Sequence, residues 1–237
     1  MPQPQPKLVE LDSSRPNEHT GSVLPPHRSG EGLIRKLSTW REDRVALHAL
    51  SVAGDPNLVL NFPGVGGRYW SVLTRHPNRI VLSTDGSLDH PAGPHSGHVV
   101  EVAERICVLH PSSTEPASAM AIELGENSVD SIFCMRLLQQ ITTTDQRMKL
   151  LREFHRITRD TLIISLWVDG NYQAWRRKRL ERRRVMEGGS EPRSRRVVLP
   201  RERIEEEFRS VGFHILTHFD LLPGYAMWRI YVLRKAA

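Results

Sequence analysis

The sequence contains few cysteines and no long apolar run. Its two cysteines, Cys107 and Cys134, lie in different apolar segments without the spacing of metal ligands. We therefore expect buried thiols in a reducing compartment, and neither a disulfide framework nor a metal site. No apolar run approaches the roughly 20 residues that cross a bilayer, and the proline-rich beginning lacks the apolar core of a signal peptide. The sequence thus predicts a cytoplasmic protein.

The positive charge is concentrated in one segment. The chain has a net charge of +6, whereas residues 176–196 alone carry ten Arg or Lys and three Glu. The basicity is therefore a local feature, and it does not indicate that the whole surface binds nucleic acid. Aromatic residues make up 6% of the chain and are not interleaved with these arginines in the way that single-stranded RNA requires. The sequence of this segment therefore gives no support for a nucleic-acid partner.

Apolar periodicity divides the chain into a tail and one α/β domain. Residues 1–30 are predicted as a disordered or loosely docked tail, and residues 31–237 as the domain, with a basic insert at 171–199. One or two helices are expected within 32–53. Further along, the predicted strands are 57–62, 79–84, 129–134 and 161–167, a weaker strand is 111–118, and the predicted helices are 67–75, about 97–106, 143–157 and 200–211.

The last two apolar runs, 213–221 and 226–233, alternate apolar and polar residues and predict an antiparallel hairpin. Strands that alternate with helices favour a parallel sheet covered on both faces. The expected architecture is therefore a Rossmann-like, doubly wound, mostly parallel seven-stranded sheet with a C-terminal antiparallel hairpin.

A glycine-rich turn follows the first predicted strand. Gly64, Gly66 and Gly67 come directly after the apolar run 58–62, and at such a turn glycine lets backbone amides approach a ligand. Asp85 ends the second apolar run, where a carboxylate can accept hydrogen bonds from the ribose hydroxyls of an adenosine. Two other interpretations stay open, because the turn can exist without a ligand and Asp85 can serve as a helix cap or turn residue.

These residues together resemble the class I S-adenosylmethionine-dependent methyltransferases of the small bacterial type, whose first motif runs Leu-Asp-x-Pro-Cys-Gly-x-Gly-Arg-Phe/Tyr-Trp. The similarity covers about residues 33–235. The resemblance implies that the three glycines line the methionine part of S-adenosylmethionine and that Asp85 holds its ribose. It also implies further cofactor contacts from Asn61, Cys134 and the segment Ser118, Ala119 and Met120, which would flank the adenine.

The chain departs from this family at positions that contact the cofactor. Asn61 stands where the family has an acid, and an amide brings no negative charge to the sulfonium end. Val65 replaces a glycine of the motif, and Gln139 and Gln140 replace a pair of histidines. These changes favour an alternative function, that of a catalytically silent relative that binds a partner or regulates one.

Arginines supply the candidate contacts to a substrate. Arg136 follows the fourth predicted strand, where it could meet an anionic group or form a salt bridge. A predicted basic helix follows Asn171, and it could lie on anionic headgroups, grip a phosphorylated substrate or simply be solvated. Its proposed contact residues are Arg176, Arg177, Arg182 and Arg183.

The function predicted from the sequence is therefore O- or N-methyl transfer from S-adenosylmethionine to a small-molecule, lipid-linked or otherwise anionic acceptor. Peripheral attachment to the inner membrane through residues 172–186 is part of this hypothesis. No catalytic base is assigned, because the sulfonium is already an activated donor and positioning is the main task.

Overall fold

A computed structural model describes residues 29–64, 67–83, 99–101, 122, 124–186 and 196–236. The sequence expectations for the tail up to residue 28, for Cys107 and for the weak strand 111–118 lie outside these residues. Residues 29 and 30, which the sequence assigned to the tail, belong to the first helix.

Seven strands form one sheet, in the order β3-β2-β1-β4-β5-β7-β6. The first five are parallel, whereas β7 runs antiparallel to both β5 and β6. The strands are β1 (Leu58–Asn61), β2 (Ile80–Ser83), β3 (Val99–Glu101), β4 (Val129–Cys134), β5 (Thr158–Trp167), β6 (Phe213–Asp220) and β7 (Trp228–Lys235). The Rossmann-like fold with antiparallel C-terminal strands is thereby confirmed.

Five α-helices accompany the sheet within the described ranges. They are α1 (Ser29–Val52), α2 (Trp70–Leu73), α3 (Thr144–Ile157), α4 (Tyr172–Met186) and α5 (Arg201–Val211). The helix ends follow local chemistry. The Asn171 carboxamide oxygen accepts a hydrogen bond from the Ala174 amide at 2.9 Å and caps α4, and Gly212 ends α5 in the left-handed region at φ +103°.

The two faces of the sheet pack against different helices. Val59, Phe133 and Ile163 face α1 and α2, while their chain neighbours Leu60, Ile132 and Leu162 face α3 and α5. Successive side chains of a strand point to opposite faces, so strands buried on both sides must be apolar throughout. This explains why β1, β4 and β5 stand out as continuous apolar runs.

Two sequence expectations need correction. The helix predicted at about 97–106 is wrong at its start, because Val99–Glu101 pairs with β2 as a parallel edge strand. The helix predicted at 67–75 is one turn long, at Trp70–Leu73. The expectation of one or two helices within 32–53 is met by the single helix α1, which begins at Ser29 and ends at Val52.

Among the described residues, no helix is long and apolar enough to span a membrane. The same part of the chain contains no group of three His, Cys, Asp or Glu side chains that could hold a metal ion. Cys134 is a free, fully buried thiol, and burial raises its pKa well above the usual value.

Candidate functional site

The candidate site lies at the carboxyl edge of the sheet, between β1 and β4. The strand order reverses there, since β1 connects onward to β2 on one side and pairs with β4 on the other. Open α/β sheets bind their ligands in the crevice at this point. Asn61 is the last residue of β1, is nearly buried, and lies beside Phe133 of β4. A polar side chain therefore stands at the position where a ligand is expected.

The turn after β1 brings the backbone back towards the sheet. The Phe62 amide donates to the Phe133 carbonyl at 3.0 Å, which extends the β1–β4 pairing by one step. Gly64 is buried, and Gly67 adopts φ +56°, a left-handed conformation that glycine takes at no steric cost. The turn leads into Arg68 and Tyr69, whose side chains reach Glu42 on α1.

A carboxylate of α1 pairs with two arginines at this edge of the sheet. Glu42, with only 11% of its side chain exposed, accepts hydrogen bonds from the guanidinium groups of Arg68, at 3.3 Å, and Arg136. The Tyr69 hydroxyl lies 3.5 Å from the same Glu42 oxygen. Arg68 also pairs with Asp43 at 2.7 Å. The cluster joins α1, the glycine-rich turn and the residue that follows β4.

The electrostatics of the cluster favour its charged form. Burial lowers the pKa of Arg136, but Tyr69 and Glu42 outweigh this effect and the pKa of Arg136 is raised. Burial raises the pKa of Tyr69, against the opposing influence of Arg136, so the phenol stays neutral. Arg136 adopts φ +62°, and its amide donates to the Ser165 hydroxyl at 2.8 Å. Arg136 therefore forms a salt bridge with Glu42, and its contact with an anionic group stays a prediction.

One donor of Arg136 remains unused. Its Nε is buried and finds no hydrogen-bond partner in the described structure. A buried, unpaired N–H group of a guanidinium costs free energy unless an acceptor reaches it. A ligand that carries an acceptor atom and binds at this edge would pair with this Nε.

Cationic groups also gather at the carboxyl end of β5. The guanidinium carbons of Arg177 and Arg196 each lie 5.4 Å from the ring centre of Trp167. Arg177 donates to Glu181 at 2.9 Å and to the Arg196 carbonyl at 2.7 Å. Because Trp167 is two residues beyond Ser165 on the same strand face, this group borders the Arg136 region.

The structure thus brings together part of the residue set predicted from the sequence. Asn61, Gly64, Gly67, Cys134 and Arg136 meet at the edge of β1 and β4. Cys134 is fully buried, so any contact of this residue with a ligand would come from its backbone. Gly66, Asp85, Ser118, Ala119 and Met120 lie outside the described residues. Arg176, Arg182 and Arg183 are exposed on α4, whereas Arg177 turns towards Trp167.

Sequence reasoning missed the Glu42 carboxylate and its partner Arg68. A signal for Glu42 was present, because it continues the buried stripe formed by Ala46, Ala49 and Leu50 on α1 at helical spacing. A carboxylate on such a stripe requires a partner, since burial of an unpaired charge is costly. Arg68 matches the arginine of the family motif, but the motif does not indicate its pairing with Glu42, and the sequence gives no signal for Arg196.

No protein-family profile matches the chain, and no curated protein sequence matches it either. Several solved structures are similar to the chain. Magnesium protoporphyrin IX methyltransferase from Synechocystis PCC 6803, crystallised with bound S-adenosylhomocysteine, is 14% identical with a TM-score of 0.59, over 92% of this chain and 90% of that one. A methyltransferase from Methanosarcina mazei is 12% identical with a TM-score of 0.52, over 76% of this chain and 93% of that one.

The fold also occurs in a protein described by another activity. The [4+2]-cyclase SpnF is 14% identical with a TM-score of 0.54, over 82% of this chain and 81% of that one. Sequence identities in this range establish architecture and leave the chemistry to be argued from the site. On these comparisons and on its strand order, the chain has the fold of the class I S-adenosylmethionine-dependent methyltransferases.

Proposed function

We propose that the protein binds S-adenosylmethionine at the carboxyl edge of β1 and β4 and transfers its methyl group to an oxygen or nitrogen of an anionic acceptor. The observation that carries this proposal is the convergence of Asn61, the glycine-rich turn and Arg136 at the point where the strand order reverses. The architecture shared with methyltransferases supports it.

The described residues fit the methionine part of this cofactor. The Asn61 carboxamide oxygen would accept a hydrogen bond from the ammonium group. The unpaired Arg136 Nε would donate to the carboxylate, for which a guanidinium is a strong partner. Gly67, at positive φ, keeps the turn free of a Cβ. We further propose that Asp85 holds the ribose and that residues 118–120 flank the adenine.

The protein contributes mainly by positioning. When bound, the cofactor supplies a methyl group already activated on a sulfonium. The side chains then need to hold the acceptor in line and exclude water, which accounts for much of the rate in such reactions. The guanidinium groups of Arg177 and Arg196, placed over the Trp167 ring, would hold the anionic group of the acceptor beside the crevice.

Calorimetry with S-adenosylmethionine and S-adenosylhomocysteine tests the cofactor. We expect binding of both, and Asp85→Ala should weaken it by about 1–3 kcal/mol, the cost of leaving a ribose hydroxyl unpaired. Asp160→Ala is the matched control, because Asp160 is half-exposed near the start of β5, at the opposite edge of the sheet. Absence of heat and of a thermal shift with both ligands at millimolar concentration would contradict the proposal.

The acceptor side can be tested separately. Release of S-adenosylhomocysteine would be measured against a panel of small carboxylates and phosphates. Replacing both Arg177 and Arg196 with Leu should lower kcat/KM for anionic acceptors and leave the affinity for the cofactor unchanged. If the double variant is as active as the parent, Trp167 and its arginines do not hold the acceptor.

Two observations favour a second candidate, a catalytically silent binding or regulatory protein. Arg68 and Arg136, the cations beside the crevice, are already paired with Glu42, and Asn61 brings no negative charge to a sulfonium. The same calorimetry separates the two functions. Binding without any methyl transfer would favour a sensor of the cofactor, and absence of binding would favour a scaffold that retains only the fold.

A further inference from the structure

The basic helix α4 is attached to the protein by one side. Ala174 is buried, Gln173 accepts a hydrogen bond from the Met227 amide at 3.3 Å, and Arg177 lies over Trp167. The first turn is anchored further by the Tyr172 amide, which donates to the Gly224 carbonyl at 3.0 Å. One side of α4 is therefore in contact with the protein, and the other faces solvent.

The solvent side of α4 combines apolar and cationic residues. At about 100° per residue, seven side chains project within an arc of about 120°, centred opposite the side of the helix that carries Arg177 and Glu181. We call this arc the outer face of α4. It consists of Tyr172, Trp175, Arg176, Arg179, Arg182, Arg183 and Met186. Trp175 is 52% exposed and Met186 is 86% exposed, although apolar residues of a surface helix ordinarily point inward.

The charge on the outer face has one sign. It carries four arginines, and no carboxylate lies on it among the side chains that the structure describes. Glu181, the one acid of α4, projects from the opposite side and pairs with Arg177 at 2.9 Å. The outer face is therefore complementary to a surface with dense negative charge.

The apolar part of this surface continues onto the hairpin loop. The Tyr172 ring stacks on Tyr225, with 5.6 Å between ring centres and 18° between planes, and Leu222 of the same loop is also exposed. Exposed Trp and Tyr beside Arg are typical of proteins that bind at the water–lipid boundary, where the rings enter the headgroup region. Met186 adds an apolar side chain suited to the acyl boundary.

RNA fits this surface less well. Single-stranded RNA needs free aromatic faces on which bases can stack. Here one face of Tyr172 is covered by Tyr225, and Arg179 lies 5.4 Å from the Trp175 ring centre. Exposed aliphatic side chains give a nucleic acid nothing to bind. The observations therefore favour a lipid surface.

We propose that the outer face of α4, with the adjoining Tyr225, docks the protein reversibly on an anionic bilayer. This proposal is independent of cofactor binding. It also changes the residue set expected from the sequence, because Arg177 faces the protein and Arg179 takes its place in the basic surface.

Vesicle co-sedimentation of the full chain tests the proposal. The parent should sediment with phosphatidylcholine vesicles that contain one quarter phosphatidylglycerol, and not with pure phosphatidylcholine. Reversal of Arg176, Arg179, Arg182 and Arg183 to Glu should lower the partition coefficient at least about tenfold, because each basic residue near an anionic surface contributes to binding. Raising the salt concentration should weaken binding of the parent.

A charge-matched control carries the same change in net charge elsewhere. Arg44, Arg75, Lys149 and Arg152 are exposed on other elements, and their reversal to Glu should leave sedimentation within about twofold of the parent. Circular dichroism verifies that both variants are folded. Equal sedimentation of the α4 variant and the parent, or failure of the parent to bind anionic vesicles, would overturn the proposal.

Fluorescence gives a second readout that needs no charge reversal. The parent should show a blue shift of tryptophan emission on anionic vesicles, and Trp175→Phe should remove most of it. An unchanged shift in Trp175→Phe would overturn the assignment of this face. Binding of a short single-stranded RNA in place of the vesicles would assign the surface to nucleic acid and also overturn it.

Discussion

The Glu42 carboxylate of α1 and the Arg136 guanidinium after β4 form an ion pair across 94 residues of sequence. Arg68 from the glycine-rich turn shares the same carboxylate. A helix that precedes the sheet thereby fixes two side chains at the carboxyl edge of β1 and β4. The geometry of the candidate site depends on α1, although α1 contributes nothing to the sheet itself.

We expect Glu42→Gln to destabilise the protein by about 1–2 kcal/mol, because two partly buried guanidinium groups lose their common counter-charge. Urea unfolding measures the effect. Asp160→Asn breaks the exposed pair with Arg234 and is the control, with an expected change below about 0.5 kcal/mol. Equal effects of the two substitutions would show that the Glu42 cluster is no stronger than a surface ion pair.

A buried ion pair connects α3 to α5. Arg147 donates to both Glu207 oxygens, at 3.0 and 2.7 Å, and the two side chains are only 3% and 7% exposed. Arg147→Met should cost up to about 3–5 kcal/mol, since it leaves the Glu207 carboxylate in the interior with Arg203 Nε, 3.7 Å away and largely exposed, as its remaining cationic partner.

The double variant of Arg147→Met with Glu207→Leu should recover most of that loss, because a buried pair can be replaced by apolar groups at little net cost. Thermal and urea unfolding of the four proteins completes a double-mutant cycle. A double variant as unstable as Arg147→Met alone would show that the carboxylate is not the source of the loss.

Gly212 is predicted to be the least replaceable of the helix-ending glycines described. It adopts φ +103°, and a methyl group there would lie 2.9 Å from His155 Nε2. Gly54 adopts φ +84° with nothing within 4 Å of an added Cβ, so Gly54→Ala measures backbone strain alone, about 1 kcal/mol. Gly212→Ala should cost about 1 kcal/mol more than this.

The excess cost at Gly212 should disappear in a double variant. His155 packs edge-on against Phe213, with ring centres 5.2 Å apart, and cannot retreat freely. His155→Ala should therefore lower the penalty of Gly212→Ala to that of Gly54→Ala. Guanidinium chloride unfolding provides the comparison, and an undiminished penalty would exclude the imidazole as its cause.

Stability should fall on mild acidification. Burial, with a contribution from the Lys235 ammonium, lowers the pKa of His155 below 6.5, and burial with Arg229 lowers the pKa of His218. Since the unfolded state then binds more protons, the free energy of unfolding is highest above pH 6.5 and declines as the pH falls through 6.5. Urea unfolding between pH 7.5 and 5.5 should show this slope, and His155→Gln should make it shallower. A slope unaffected by both His155→Gln and His218→Gln would refute the assignment.

The elements with the strongest burial were the easiest to predict. β1, β4 and β5 are covered on both faces, so their sequences carry uninterrupted apolar runs. The end of α5 was equally readable, because Gly212 is required there for its backbone conformation. In contrast, β3 is a three-residue strand at the edge of the sheet, and among the described residues it pairs with β2 alone. Local periodicity cannot identify a strand of this kind.

The parts of the candidate site that lie at the ends of strands could be predicted from the sequence, whereas the contacts between distant segments could not. Asn61, the glycines and Arg136 could be placed from the ends of predicted strands. The contact of Glu42 with Arg136 joins distant segments, and no spacing in the sequence encodes it. The orientation of Arg177 towards Trp167 depends on how α4 docks, which the charge pattern alone does not specify.

The packing of α1 has a consequence for biosynthesis. This helix rests on the last strand, with Ala46, Ala49 and Leu50 in the same apolar cluster as Ile230 and Val232, and His48 lies edge-on against Phe219. During translation the helix is made long before these partners, so the part of its apolar stripe that packs on β7 stays uncovered until residues 213–235 have left the ribosome. Nascent chains halted before β7 should accordingly recruit holdase chaperones through α1.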